Sequence, residues 1–155
     1  MHSTGLFVLA LSAISSALPT ITPRNNCKNP STFTVNGFTT FTPAEGNTEH
    51  PAAVFFTISD DRNLGRVSCS RTGDITSKDA ATCSDETTVF KWTGGALTVG
   101  ETYDSCPDLV TVQTFGDIQL SLNCYPSVPP MPNGYGTQCQ TPTGQVSGLF
   151  SRSQF

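Results

Sequence analysis

The chain has 155 residues and a net charge of −4, and only 13% of its residues are charged. That balance excludes a nucleic-acid partner, because phosphate binding needs clustered Lys and Arg and the eight basic residues here are scattered. Low charge with abundant Thr, Ser, Gly and Pro fits an extracellular β-protein better than a disordered chain.

The first element is a short apolar run, Leu6 to Ile14, followed by Ser15, Ser16 and Ala17. It has the form of an h-region ahead of a small-residue cleavage point, which predicts a signal peptide over residues 1–17. Its n-region departs from the usual pattern, carrying His2 and no Lys or Arg. About nine apolar residues fall short of the roughly 20 that span a bilayer, and no later segment is longer, so no membrane partner is expected. Residues 18–24 end in Arg24 and read as a short pro-segment. A single disulfide-stabilised β domain is expected over 25–150, with 151–155 frayed, in a secreted, extracellular protein. Asn29 is followed by Pro30, so it offers no glycosylation sequon.

Period-two patterns dominate the rest, and no amphipathic helix stands out. Residues 31–41 hold Phe33, Val35 and Phe41 among threonines, a strand with a kink at Gly37. Residues 51–59 set Val54, Phe56 and Ile58 on one face and Phe55 and Thr57 on the other, which predicts a central strand. After a polar turn at 60–63, residues 64–71 form the next strand, with Val67 and Cys69 alternating. Residues 71–87 read as a long polar loop with room for a helical turn at 77–82. Residues 88–92 and 96–99 flank Thr93-Gly94-Gly95, a hairpin signal. Residues 108–114 and 118–125 flank Phe115-Gly116-Asp117, which predicts a second hairpin whose return strand buries Ile118, Leu120, Leu122 and Cys124. Residues 126–135 hold four prolines and cannot form a sheet interior. A final edge strand is expected over 145–150. The fold class is therefore all-β, a disulfide-stapled antiparallel barrel or sandwich of about seven to ten short strands.

Cys27, Cys69, Cys83, Cys106, Cys124 and Cys139 all follow the expected signal peptide, and an even count in a small exported chain predicts three disulfides. Six cysteines allow 15 pairings, among which sequence does not choose. Local geometry favours Cys69–Cys83, which would pin the polar loop, and Cys124–Cys139, which would tie back the proline-rich stretch. Loops of about 15 residues lose roughly 3 kcal/mol of unfolded-state entropy on closure. Cys27–Cys106 then remains; an unpaired Cys27 would instead be open to an intermolecular bridge. There is no Cys-x-x-Cys and only His50 to assist, so no metal site is expected.

The arrangement resembles the fungal major-allergen family first described from Alternaria, small secreted proteins that include elicitors from plant pathogens. The matching features are a signal peptide and a segment ending in Arg, a lone N-terminal Cys27, and the Phe-rich strand with Phe55, Phe56 and Ile58. Val67-Ser68-Cys69-Ser70, Cys83 and a late Cys124/Cys139 pair complete the pattern. The resemblance implies a β-barrel, bridges Cys69–Cys83 and Cys124–Cys139, and a Cys27 able to join two subunits. It also implies a role as allergen, elicitor or effector in virulence. Cys106 and the proline-rich insert depart from the family pattern. Cys106 offers Cys27 an internal partner, so a monomer is expected over a dimer.

No residue set declares a reaction. His50, in the loop Glu45–Pro51, could act as a base with Glu49, and reads more simply as a solvated loop residue. Asp60-Asp61 and Asp85-Glu86 offer carboxylate pairs for glycoside cleavage, yet neighbours on a strand point to opposite faces. Asp74, Asp79, Asp85 and Glu86 lack the spacing of a calcium loop. Trp92, Tyr103, Tyr125 and Tyr135 could offer a platform for sugar or a small apolar ligand, though Trp92 reads as core beside Phe90. No catalytic residue and no cofactor is assigned. The sequence predicts a non-enzymatic protein binding a host extracellular or cell-wall protein. The alternatives are a small hydrolase of wall polysaccharide and a carrier of a small apolar ligand.

Overall fold

Strand β1 (Thr32–Pro43) organises the fold, because it is hydrogen-bonded on both edges along almost its whole length. In the computed structural model, which describes residues 28–62, 64–129 and 134–154, one edge of β1 pairs with β2 (Ala53–Asp60). The other edge pairs with β10 (Gln145–Leu149) over the first half of β1 and with β9 (Gly136–Gln140) over the second. The expected signal peptide, the 18–24 segment and Cys27 lie outside the described residues. With β3 (Val67–Thr72) beside β2 and β8 (Asn123–Ser127) beside β9, this sheet runs β3-β2-β1-β9-β8.

The kink expected at Gly37 is a β-bulge. Asn36 faces Thr57 while Thr39 faces Phe55, so β1 carries one residue more than its partner. Gly37 sits at φ +63°, a left-handed conformation that glycine adopts without steric cost. The extra residue changes which side chains point inward. Phe33 and Val35 face the core before the bulge, and Phe38 takes that role after it, all three at most 1% exposed.

The second sheet runs β11-β7-β6-β5-β4, formed by β4 (Ala81–Thr82), β5 (Thr88–Trp92), β6 (Ala96–Asp104), β7 (Thr111–Gln119) and β11 (Arg152–Gln154). Every pairing in both sheets is antiparallel. The all-β, disulfide-stapled fold expected from the sequence is thus present, with eleven strands among the described residues.

Four local expectations are corrected. Phe115-Gly116-Asp117 is not a turn but the middle of β7, and the actual hairpin turn lies at 105–110. Gly116 is required there by close approach: a Cβ would strike the Leu149 carbonyl and the Phe33 ring from the opposite sheet. The stretch 118–125 is likewise two elements. Ile118 belongs to β7 and Cys124 to β8, and the chain changes sheets between them. Residues 77–82 hold no helical turn; Ala81 and Thr82 pair with Phe90 and Val89 as β4. Within the expected frayed tail, the described residues Arg152, Ser153 and Gln154 pair with Phe115, Thr114 and Gln113 of β7. Pro126 does lie in a strand, β8, at a sheet edge where its missing donor costs nothing.

The two sheets close on a core of aromatic rings. Phe38 meets Trp92 at 4.8 Å and Phe56 at 5.5 Å, and Phe56 meets Phe90 edge-on at 5.0 Å. Each buried aromatic contributes roughly 1.5–3 kcal/mol from area alone. Both flanks of the sandwich are laced. On one, Cys69 of β3 is joined to Cys83 just after β4, and the Ser84 N–H donates to the Ser68 carbonyl at 2.7 Å. On the other, successive residues reach opposite sheets: the Phe150 N–H donates to the Ser31 carbonyl and the Ser151 N–H to the Phe115 carbonyl. The result is barrel-like.

Candidate functional site

Two core-facing stripes end in charge. On β2 the inward series Val54, Phe56, Ile58 continues to Asp60, and on β6 Leu97 and Val99 continue to Glu101 and Tyr103. Both strands run past the closely packed centre, so at one end of the sandwich their inward positions meet water and carry polar groups. A cleft of ≈ 360 Å³ opens there between the sheets. Its floor is Phe33, Ile58, Val99 and Phe150, and its walls carry Asp60, Arg62, Asp85, Glu101, Tyr103 and Asp104.

Arg62, on the turn after β2, holds this end together. Its Nε donates to Asp60 Oδ2 at 2.5 Å, its Nη2 pairs with Glu101 across the cleft, and its guanidinium lies 5.4 Å from the centre of the Tyr103 ring. The three side chains are 15%, 9% and 12% exposed, so the triad is largely withdrawn from water and each charge depends on its partners. Asp85 Oδ1 accepts from the Thr88 N–H at 2.9 Å, and Asp104 accepts from the Thr111 hydroxyl at 2.9 Å.

Asp61, next along the chain, points the other way. Its carboxylate accepts from the Ser31 hydroxyl at 2.6 Å and the Ser31 N–H at 2.9 Å, and pairs with Lys28 at 2.7 Å. Burial pushes its pKa up, but the bonds from Lys28, Ser31 and Thr32 outweigh that and hold it well below the usual carboxylate range. The adjacent pair Asp60-Asp61 therefore serves two sites. The first belongs to the cleft, and the second fastens the entry to β1.

The remaining candidates do not converge. His50 packs beside Gly134 and Asn47, and among the described residues no ion pair joins it to an acid. Asp74 accepts from the Thr76 N–H and hydroxyl within its own loop, and the described acids form no cluster placed to hold a metal. Trp92 is 3% exposed within the core, leaving no aromatic platform at that position. Cys69 pairs with Cys83, and Cys124 with Cys139 directly across β8 and β9. The Cys106 N–H donates to Asn29 Oδ1 at 2.9 Å; Cys27, expected as its disulfide partner, lies outside the described residues. Sequence reasoning missed the Arg62–Glu101 contact altogether.

One pair of carboxylates in the cleft, Asp60 and Glu101, is already joined by a cation. Glycoside hydrolysis needs two carboxyl groups flanking an open space for the scissile bond. Here the Arg62 guanidinium fills the space between Asp60 and Glu101.

No protein-family model matches the sequence, and no curated protein matches it. Among solved structures, the crystal structure of Alternaria alternata allergen Alt a 1 matches with a TM-score of 0.54 and 15% identity, covering 80% of this chain and 90% of that chain. The resemblance drawn from the cysteine spacing therefore holds in three dimensions, and the chain shares its fold with that allergen.

Proposed function

We propose that this protein is secreted and non-enzymatic, and that it acts as an effector, elicitor or allergen by binding an extracellular host protein. The occupied carboxylate pair supports the reading: Arg62 joins Asp60 and Glu101, so these two acids of the cleft are engaged with a cation rather than open to a glycosidic bond. The filled aromatic centre supports it against a carrier role, since Phe38, Phe56, Phe90 and Trp92 occupy the space between the sheets where a lipocalin-like chamber would lie. A fold shared with a fungal allergen and two disulfides in the described residues support an extracellular setting. A rigid scaffold of this kind offers its loops, 71–87 among them, to a partner.

The test is capture from plant extracellular fluid on the immobilised oxidised protein, with sugar release from wall material measured in parallel. The expected result is retention of a defined host protein that reduced and alkylated material does not retain, with no sugar released. Sugar release that Glu101→Gln abolishes, with no host protein retained, would overturn the reading.

A further inference from the structure

We infer that the inter-sheet cleft is the docking surface for the partner and that it takes a lysine or arginine side chain flanked by apolar residues. The inference rests on the binding function proposed above and names the chemistry of the site that would perform it. Three observations converge. The first is shape: ≈ 360 Å³ lies at the small end of the roughly 300–1,000 Å³ found for binding pockets, room for a side chain rather than a large cofactor.

The second is charge. Among the described residues, Asp60, Asp85, Glu101 and Asp104 line the cleft against a single cation, Arg62, so the walls remain strongly negative after the internal ion pairs are made. The apolar floor of Ile58, Val99 and Phe150 suits the methylene stem of a long basic side chain, whose head would sit among the carboxylates. Arg62 already shows the mode, with its guanidinium between two acids and beside Tyr103.

The third is the rim. Leu64, at the cleft's edge, is 76% exposed, and the turn that follows Tyr103 and Asp104 presents Leu109 at 72% and Val110 at 50%. Leu109 is held at φ +54°, a conformation leucine rarely adopts, so the turn keeps these apolar groups in water at a conformational cost. Leu64 on the cleft lining, with the apolar turn that follows Asp104 in the chain, complements a basic side chain set among apolar neighbours.

The probe is acetyl-leucyl-lysyl-leucinamide, titrated into ¹⁵N-labelled oxidised protein and followed by amide shifts. Controls replace lysine by norleucine or glutamate, and butylammonium serves as a free amine. Saturable shifts are expected at 60–67, 85–88 and 101–104, weakening with added salt and absent with both control peptides. Asp85→Asn with Asp104→Asn keeps the oxygens that accept from Thr88 and Thr111, so the fold should persist while binding weakens about fivefold or more. No shift in the cleft, or equal shifts with the norleucine peptide, would overturn the inference. Butylammonium binding as tightly as the peptide would replace a protein partner by a small amine, and so overturn it too. Host-protein capture that survives in the double variant would overturn the cleft assignment while leaving the binding function standing. Loss of capture in wild type removes the function itself.

Discussion

Arg62 leaves the end of β2 in one sheet and pairs with Glu101 on β6 in the other, so a single guanidinium ties the sheets at the mouth of the cleft. Asp60 accepts from the same group. Removing the cation would leave two poorly solvated carboxylates facing each other with no counter-charge.

Arg62→Met should therefore cost more than loss of either acid alone. We expect about 2–3 kcal/mol, between the value of an exposed ion pair and that of a fully buried one. Glu101→Gln, which leaves Arg62 its bond to Asp60, should cost about 1 kcal/mol or less. Urea unfolding of the oxidised proteins measures both. Equal losses for the two variants would mean that the triad is no more than a surface pair.

Gly116, the one glycine of β7, is expected to tolerate no side chain. An added methyl at Gly116 would run into the Leu149 main chain, which cannot move aside as a flexible side chain would, and into Phe33. Gly116→Ala should destabilise by about 3 kcal/mol, the upper part of the overpacking range. Gly95→Ala makes the control: nothing lies within 4 Å of its new methyl and no positive φ is involved. It should be neutral or slightly stabilising, by about 0.4–1 kcal/mol at most. A near-neutral Gly116→Ala would show that β7 and β10 can part without cost.

These two sites also mark what the sequence discloses. Alternation found β2, β5 and β6, since Val54, Phe56, Ile58 and Phe90, Trp92, Leu97, Val99 bury one face in strict period two. It misread Gly116, because glycine marks both turns and close approaches, and only Phe33 in the facing sheet tells which. The charged cleft was half legible. Asp60 and Glu101 continue the inward parity of Ile58 and Val99, and a charged residue on a core-facing stripe is a signal in itself. What parity cannot supply is the distance between two strands of different sheets, so the shared Arg62 was out of reach.

The acid limb of stability should depend on Asp61. Its carboxyl is held below the ordinary value of about 3.9 by the bonds from Lys28, Ser31 and Thr32. A depressed folded-state pKa adds stability that is complete above about pH 4 and is lost as the pH falls towards the folded value. Asp61→Asn should accordingly lower stability at pH 7, with the gap from wild type narrowing below about pH 4. High salt should shrink the gap as well, because Lys28 is half-exposed. A gap that stays constant from pH 7 to pH 2 would mean that the charge of Asp61 adds nothing and that the loss comes from altered hydrogen-bond geometry alone.

The two described disulfides close loops of nearly equal length, with separations of 14 and 15 residues, so chain entropy alone assigns each about 3 kcal/mol. Burial separates them. Cys69 is 1% exposed in the core, whereas Cys124 is exposed on the edge strand β8. Thiolate attack requires access to a sulfur, so a mild reductant should open Cys124–Cys139 first and reach Cys69–Cys83 only as the sheets separate. Limited reduction, alkylation and mass spectrometry give the order directly. Cys69→Ala with Cys83→Ala should also cost more than Cys124→Ala with Cys139→Ala, because it unties β3 from the β4 edge and leaves a gap in the core. Simultaneous labelling of all four cysteines would mean that the molecule opens as one unit, and that neither bridge outlasts the sheets it joins.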